Sequence, residues 1–568
     1  MNILLNYRLN LTSVTNIKKL FLLLLLIVIP WTLFTELLNI KQLIFYSSFN
    51  LRVFLSNLIF ALFIIIFFRS LILSFIIFYS FNILPFISYY FLRKGIMFGD
   101  IKDIGELMYA LGSINSAIIY LIFSILITAT IIVNYKHFKI QIFLIQIFCI
   151  FLIYGSFIFT DSYKKNLYSK KVDSVVVENL SAAFRFIGPV DAFFFNYLDT
   201  VAFERELKSN KGEITYSDFR IFELNNIKNK NIHIILMESF LDPTDFNNIN
   251  IKKNAVPNRW IKYKNNNLFY GMSPVTGGGS AQAEFEILCG APSTKKYGTE
   301  FNRIGQYKTT CLPNYLKKFG YKSFASQPVY GSFFNVEIAY KSIGFDESFL
   351  APNFDMSDKS NGWLSNESFF NQQFEMIRKS LTDNNPILNY VFAVGCHNAL
   401  GQKQSFGELI KFEGSQSLED FLNCNTKSIH EILKYIDKIS DIDPNSIFIV
   451  LPDHHPVITP NSSWKESGYQ KPCDNSINCG RKMRGIFFSN EVVIDRKNYA
   501  YYELPELIVN TISNNTLCDF VKCSIKTDYI ISDNKIVNRE NLLSINNKSL
   551  ANYYEKLYMS ILKESWFN

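Results

Sequence analysis

The chain has 568 residues, which allows several domains, and 49% of them are hydrophobic and 16% aromatic. Its formal net charge of +8 is small for this length and is spread along the chain. This excludes the concentrated basic surface of a nucleic-acid-binding protein. The apolar residues are concentrated at the front, which predicts a membrane region followed by a water-exposed region.

The front of the chain contains five apolar runs, each near the roughly 20 residues that a bilayer-spanning helix needs. They cover residues 20–40, 51–68, 71–91, 110–133 and 140–159. Lys and Arg precede the first run and also separate the second from the third and the fourth from the fifth, so these loops are predicted to be cytoplasmic. We therefore predict a transmembrane domain of about five helices at 1–160, in a bacterial inner membrane. The rest of the chain is expected in the periplasm or outside.

Residues 161–215 form a transition in which four lysines precede an aromatic stretch. A basic-then-aromatic segment of this kind can lie along the membrane interface. It can equally form a linker helix that packs on the soluble domain. The sequence leaves both interpretations open and assigns 216–568 to an extracytoplasmic domain.

Eight of the nine cysteines lie in this C-terminal part, and an even number in an exported domain indicates disulfide bonds. Metal binding by cysteine is disfavoured because no C-x-x-C pair is present. Sequence alone does not fix the connectivity. The simplest pairing joins neighbours along the chain: Cys289–Cys311, Cys396–Cys424, Cys473–Cys479 and Cys518–Cys523.

From residue 228 onward, apolar runs rich in β-branched residues alternate with helical patterns. One run ends at Glu238, another at His397, and a third at Asp453, followed by His454 and His455. Continuous apolar strands separated by helices predict a largely parallel α/β sheet that is covered by helices on both faces.

A glycine-rich stretch, T-G-G-G-S-A-Q-A-E-F-E-I-L-C-G, spans residues 276–290. Three glycines precede Ser280, and a helical pattern begins there. Ser280 is therefore either a helix N-cap, for which serine is preferred, or a hydroxyl placed where a helix N-terminus favours negative charge.

Polar side chains thus follow several predicted strands at the point where each strand ends. Because ligands of open α/β sheets bind outside the carboxyl ends of the strands, these side chains are expected to gather at one edge. Carboxylate and imidazole groups suit Mn²⁺, Zn²⁺ or Mg²⁺. The predicted cluster consists of Glu238, Ser280, His397, Asp453 and His454.

The order of these motifs resembles the catalytic domain of the alkaline-phosphatase/sulfatase superfamily over residues 230–530. In particular, it is similar to the lipoteichoic acid synthase-like phosphoglycerol transferases. The resemblance is carried by M-E-S at Glu238, G-G-G-S-A-Q-A-E-F at Ser280, L-P-N-Y-L-K-K-F-G-Y, S-F-F-N-V-E-I-A-Y-K-S-I-G-F-D and D-H at Asp453. Five predicted spans ahead of an outer catalytic domain also resemble that family.

The resemblance implies a nucleophile at Ser280, where the family normally has threonine. It also implies one divalent cation, Mn²⁺ or Zn²⁺ with Mg²⁺ also suitable. The implied ligands are Glu238, Ser280, Asp453 and His454. The implied substrate contacts are His397, Phe334 and Asn335. His455 is left unassigned: it is expected either to support a ligand or to be a solvated loop histidine.

The implied function is transfer of a phosphoglycerol head group from a phospholipid to an envelope glycan or lipid-linked acceptor, through a covalent phosphoserine. Phe334 stands where the family has Trp, and Val336 where it has an Arg that holds the head group, so head-group identity stays open. One alternative is phosphoethanolamine transfer to lipid A or another envelope glycan. A further alternative is a non-catalytic, membrane-anchored binding protein.

Sulfatase chemistry is disfavoured by the sequence around Cys289. C-G-A-P-S is a near match to the sulfatase signature C-x-P-S-R, but it has one residue too many and lacks the arginine. Aligning the helix places Ser280 at the nucleophile position instead, and Cys289 is interpreted as a disulfide partner.

Overall fold

The structure is a computed structural model. It describes residues 229–276, 279–293, 300–305, 307–331, 333–360, 362–397, 409–456, 462–469, 481–489, 497–520, 523–532, 535–545 and 562–565. Before these it describes only 28–33 and a few residues between 57 and 79. The linker at 161–215, most of the five predicted spans and the pair Cys473–Cys479 lie outside the described residues. Among the described residues, no helix is long and apolar enough to cross a bilayer.

The chain divides into two compact units, and the described residues from 229 on belong to the unit formed by Leu207–Lys295 and Thr299–Asn568. Its centre is an eight-stranded sheet. The strands are β1 (Ile232–Met237), β2 (Leu268–Met272), β3 (Lys322–Ser326), β4 (Glu347–Phe349), β5 (Ile387–Ala393), β6 (Ile447–Pro452), β7 (Lys482–Phe488) and β8 (Asn498–Ala500).

The spatial order is β8-β2-β7-β6-β1-β5-β3-β4. Strands β6, β1, β5, β3 and β4 are parallel, whereas β7 runs antiparallel to both β6 and β2. The predicted largely parallel sheet is confirmed. The fully buried runs of β1, β5 and β6 are typical of parallel strands covered on both faces.

Ten α-helices of the described residues surround this sheet. They are α1 (Asn258–Asn267), α2 (Ser280–Cys289), α3 (Glu300–Ile304), α4 (Leu312–Leu316), α5 (Val336–Ile343), α6 (Asn366–Ile377), α7 (Gln416–Ser440), α8 (Ser462–Glu466), α9 (Leu504–Ile512) and α10 (Leu517–Phe520). Short 3-10 turns lie at Pro243–Asp245, Lys317–Phe319, Phe333–Asn335, Ala351–Asn353, Ser380–Thr382, Tyr501–Glu503 and Ser524–Lys526.

The two faces of the sheet are covered by different helices. On one face α1, α6 and α7 supply Trp260, Phe374 and Ile436 to a core that also contains Ile235 and Val391 of the strands. Side chains of successive strand residues point to opposite faces, so Tyr390, the neighbour of Val391, faces the other layer. There it contacts Tyr340 of α5, with ring centroids 6.1 Å apart.

Smaller sheets lie at the periphery. They pair Asn250–Ile251 with Ile410–Lys411, Tyr307–Thr309 with Leu562–Ser565, and Lys359–Ser360 with Trp363–Leu364, and they join Tyr529–Ser532, Lys535–Asn538 and Ser544–Ile545. The structure contains the disulfides Cys289–Cys311, Cys396–Cys424 and Cys518–Cys523, which confirms three of the four predicted pairs.

One predicted element boundary is wrong. Strand β5 ends at Ala393, not at His397, because the chain turns there and the His397 N–H donates to the Val394 carbonyl at 2.9 Å. Helix α7 begins at Gln416, where Ser415 caps it by accepting a hydrogen bond from the Leu418 N–H.

Candidate active site and metal centre

Glu238 and Asp453 lie side by side because the ladder of the sheet continues past the strand ends. The Glu238 N–H donates to the Ala393 carbonyl at 3.0 Å, and the Asp453 N–H donates to the Met237 carbonyl at 3.2 Å. Strands β5, β1 and β6 therefore end in register. Their carboxyl ends deliver the next residues to one place, as expected for an open α/β sheet.

Three buried side chains converge at this edge: one ligand atom each of Glu238, Asp453 and His454 lies within 4.8 Å of the others. His454 Nε2 is 3.2 Å from Asp453 Oδ2 and 3.8 Å from Glu238 Oε1. The sequence analysis named all three as ligands, and the structure brings them together.

The imidazole of His454 is oriented by its other nitrogen. Nδ1 lies 3.0 Å from the His455 carbonyl and 3.2 Å from Ser239 Oγ. Donation from Nδ1–H to the carbonyl leaves Nε2 with a free lone pair that faces two carboxylates. A metal-binding histidine is typically fixed in this way by a hydrogen bond at its second nitrogen.

Ser239 holds both carboxylates of the cluster by hydrogen bonds. Its N–H donates to Asp453 Oδ1 at 2.7 Å, and its hydroxyl donates to Glu238 Oε1 at 2.9 Å. The His454 N–H donates to the same Asp453 oxygen at 2.8 Å. Ser239 has φ of +51°, a conformation that serine rarely adopts and that is common at functional sites.

The three side chains of the cluster all have shifted pKa values. Burial, reinforced by the charge of Glu238, raises the pKa of Asp453 to about 6. Burial also raises the pKa of Glu238. Burial alone would lower the pKa of His454, but the two carboxylates raise it above its ordinary value.

The donor set fits a divalent cation. Asp453 Oδ2 is buried and makes no hydrogen bond of ordinary geometry. It faces an imidazole lone pair and a second carboxylate, all of them acceptors. One nitrogen and two carboxylate oxygens are ligands that Zn²⁺ and Mn²⁺ accept. Glu238, Asp453 and His454 are therefore the residues that would hold the metal.

Ser280 lies next to these ligands as the first residue of α2. Its hydroxyl interacts with the Asp453 carboxylate and lowers the pKa of that group against the effect of burial. The helix N-cap is Gly279, at φ of +84°, and the cap makes no side-chain hydrogen bond. The interpretation of Ser280 as a simple N-cap is therefore wrong, and its hydroxyl is available at a helix N-terminus.

The segment before the glycines is tied to the same cluster. Ser273, which follows β2, donates from its hydroxyl to the Asp453 carbonyl at 2.6 Å. Its N–H donates to the Arg481 carbonyl at 2.9 Å, and Arg481 in turn donates to the Pro274 carbonyl. These bonds fix where the chain enters the glycine stretch and hence where α2 starts.

The buried carboxyl group of Glu284 lies one helical turn after Ser280 and attaches α2 to its neighbours. Glu284 Oε2 accepts hydrogen bonds from Tyr340 at 2.7 Å and Tyr390 at 3.0 Å. Burial raises the pKa of Glu284 to about 8, although both hydroxyls lower it and the charges of Asp453 and Glu238 raise it again. The helix that carries Ser280 is thus attached to both α5 and β5.

His397 lies in the turn after β5, close enough to Asp453 and His454 to interact with them electrostatically. Burial lowers the pKa of His397, and the nearby Asp453 charge opposes that effect. Its ring contacts Trp363, with centroids 5.0 Å apart.

Phe334 and Asn335, the other predicted substrate contacts, lie in the 3-10 turn before α5 and both have positive φ, +51° and +60°. The Asn335 amide donates to the Phe301 carbonyl at 3.3 Å. Among the described residues, neither side chain has a hydrogen bond or ring contact with Glu238, Asp453 or His454. Phe334 is connected to His397 through ring contacts of Phe333 with Phe334 and with Trp363.

His455 supports the site in a different way from the one expected. Its backbone carbonyl, not its imidazole, accepts the hydrogen bond from His454. The imidazole packs between Trp464 and Tyr469, and its Nε2 lies 3.3 Å from the Lys482 carbonyl.

Sequence reasoning missed Ser239, Glu284 and Trp363. The spacing of four residues between Ser280 and Glu284 places them on one helix face and could have identified the acid. The dipeptide Asn-Gly before Trp363 is a hairpin signal. Nothing in the sequence marks Ser239, whose role depends on the register between β1 and β6.

Fold and site together define an α/β domain that gathers a hydroxyl and a metal-ligand cluster at the carboxyl edge of a mostly parallel sheet. Residues 230–476 match the family model described as Sulfatase. This part of the chain belongs to the alkaline phosphatase/sulfatase superfamily. The family assignment predicted from the motifs is confirmed.

Solved structures with similarity to the chain include the lipoteichoic acid synthase LtaP from Listeria monocytogenes, with 16% identity, 63% of this chain and 95% of that chain covered, and a TM-score of 0.46. The phosphoglycerol transferase GacH from Streptococcus pyogenes has 14% identity, coverages of 64% and 91%, and a TM-score of 0.44. The periplasmic domain of EcEptC from Escherichia coli has 15% identity, coverages of 51% and 83%, and a TM-score of 0.35. None of the curated proteins compared with this chain matches it.

Proposed function

We propose that this protein is a metal-dependent transferase of the cell envelope that moves a phosphoglycerol head group from a phospholipid to a glycan or lipid-linked acceptor. The observation that carries the proposal is the convergence of Glu238, Asp453 and His454 beside the Ser280 hydroxyl. The motif order described above supports the choice of a phospholipid head group as the transferred unit.

In the first half of the reaction, Ser280 Oγ loses its proton and bonds to the phosphorus of the donor. The bond from phosphorus to the diacylglycerol oxygen breaks, and that oxygen takes up a proton. His397 is suited to deliver this proton because it lies near the cluster and its imidazole can act as a general acid or base. Diacylglycerol leaves, and the head group remains on Ser280.

In the second half, a hydroxyl of the acceptor displaces Ser280 Oγ from phosphorus, loses its proton and regenerates the free serine. A divalent cation held by Glu238, Asp453 and His454 would supply a lowered pKa for the Ser280 hydroxyl and charge neutralisation for the phosphate. The chain itself orients the attacking oxygen through α2, whose N-terminus favours anionic oxygens.

Transfer of phosphoethanolamine to lipid A or another envelope glycan is the second candidate. It is favoured by Val336, which stands where the resembled phosphoglycerol transferases have an arginine that holds the head group, and which is buried. Valine at that position cannot form the bidentate hydrogen bonds by which an arginine holds a phosphate group. We place both candidates on the outer side of a bacterial inner membrane, where the five predicted spans would hold the site near the lipid donors.

Mass spectrometry of the trapped serine tests the proposal. The full-length protein is incubated with Mn²⁺ and either phosphatidylglycerol or phosphatidylethanolamine, quenched in acid and digested. The peptide that contains Ser280 is expected to gain the mass of glycerol phosphate from the first donor. A gain only from the second donor would select the alternative, and an unmodified Ser280 with both donors would contradict the transferase proposal.

A further inference from the structure

The ring of Trp363 lies against the imidazole of His397. The two centroids are 5.0 Å apart and the planes are inclined by 59°. Trp363 also contacts Phe333, with centroids 5.9 Å apart and planes inclined by 69°. Trp363 therefore stands between the turn that carries His397 and the turn that precedes α5.

Trp363 is held in place by its own hairpin. Lys359–Ser360 pairs antiparallel with Trp363–Leu364, and Gly362 provides the positive φ, +82°, that the tight connection requires. Leu364 is fully buried in the core between the sheet and α6. At the base of the hairpin, the Ser365 N–H donates to the Asp358 carbonyl at 2.9 Å, and the two side chains also bond. The hairpin thus fixes the backbone of Trp363 independently of His397.

The backbone of His397 is fixed just as firmly. Cys396 is joined to Cys424 of α7, and the Gly395 N–H donates to Asn366 Oδ1 at 2.9 Å. A side chain at Gly395 would collide with Asn366, since a Cβ there would lie 2.5 Å from its Oδ1. The turn after β5 is therefore pressed against the start of α6.

The imidazole of His397, by contrast, has no such tether. Its Nδ1 is buried and has no hydrogen-bond partner among the described residues. This differs from His454, whose Nδ1 lies 3.0 Å from the His455 carbonyl. Among the residues that the structure describes, the aromatic ring in contact with the His397 imidazole is the indole of Trp363.

We propose that Trp363 is a positioning residue for His397: it holds the imidazole in the orientation from which it serves the Ser280 site. The role in catalysis rests on the proposed function, whereas the positioning itself does not.

A double-mutant cycle tests whether Trp363 acts through His397. Trp363→Ala is expected to lower the turnover number for head-group transfer by up to about 100-fold, as a misplaced catalytic group does, with little change in KM. Trp363→Phe should retain most activity. In a His397→Gln background, Trp363→Ala should cause little further loss. If Trp363→Ala causes the same fold loss of turnover in the His397→Gln background as in the parent protein, the proposal is overturned. Trp464→Ala, which removes the indole beside His455, is the matched control and should be additive with His397→Gln.

A second measurement needs no turnover. The full-length protein is treated with diethyl pyrocarbonate, and modification of each histidine is followed by peptide mass spectrometry. Trp363→Ala should speed modification of His397 several-fold and leave His430 unchanged. An unchanged rate at His397 would overturn the positioning proposal. A faster rate in a protein that transfers no head group from any donor would sustain the positioning and contradict the proposed function.

Discussion

Replacing Asp453 by asparagine should stabilise the metal-free protein while destroying its response to metal. The carboxyl is fully buried, and its pKa rises from the ordinary 3.8 to about 6. A carboxyl group whose pKa is raised by folding does not destabilise the folded protein below its ordinary pKa, because it is then protonated in both the folded and the unfolded state. The free energy of unfolding then falls as pH rises through the folded-state value. Above about pH 7 the full penalty of the ionised carboxylate is present.

The size of the effect follows from that shift. Two pH units correspond to about 3 kcal/mol, because each unit is worth about 1.4 kcal/mol. Asparagine keeps the oxygen that accepts from Ser239 and His454. Its amide nitrogen would take the place of Oδ2, which lies 3.2 Å from His454 Nε2, and would donate to that nitrogen. We therefore expect a gain of up to about 3 kcal/mol near pH 8 in EDTA.

Denaturant unfolding of the full-length protein near pH 8, in EDTA and in excess Mn²⁺, measures both effects. Parent protein should be stabilised by metal and the Asp453→Asn variant much less. Glu503→Gln is the matched control, because buried Glu503 already has its cation, Arg539, at 2.7 Å. That variant should be less stable with or without metal. A loss of stability in EDTA for Asp453→Asn would refute the reasoning.

Four other outcomes are expected. Ser280→Ala should abolish head-group transfer yet keep its stabilisation by metal, whereas Ser280→Thr should retain activity. Metal affinity, measured by titration calorimetry, should weaken as pH falls through about 6, where Asp453 takes up a proton. Replacing Cys396 and Cys424 together by serine should lower the free energy of unfolding by about 3 kcal/mol, measured in denaturant. A periplasm-active reporter fused after residue 165 should give signal.

Each of these outcomes has a contrary result. Near-native turnover by folded Ser280→Ala would remove the nucleophile assignment. Metal affinity independent of pH between about 5 and 8 would show that Asp453 is not a ligand. Equal unfolding of the serine pair and the parent under non-reducing conditions would mean that the disulfide contributes nothing. Signal from cytoplasm-active reporters alone would contradict the predicted topology.

The ligand cluster was predictable from sequence because its members are marked by position. Glu238 and Asp453 each follow a continuous apolar run, and parallel strands deliver their carboxyl-terminal neighbours to one edge. The glycines likewise marked the start of α2 at Ser280. These features depend on local pattern and on a general rule of sheet topology.

The supporting contacts were not predictable because they depend on register and packing between distant segments. Glu284 meets Tyr340 and Tyr390 only when α5 and β5 are both in place. Trp363 meets His397 because the turn after β5 begins at Ala393, four residues before the end assumed from the apolar run. The periodicity of apolar residues in the sequence does not reveal either of these contacts.

Strand β7 runs against its neighbours, so its first residue lies at the edge where the other strands end. The connection from His455 to Lys482 therefore leaves and re-enters the sheet beside the metal ligands, as the 3.3 Å contact between these two residues shows. Insertions or deletions in this connection would leave every strand in register, since loop lengthening adds little closure entropy. Changes of sequence and length in this connection can therefore accumulate beside the site while Glu238, Asp453 and His454 keep their positions.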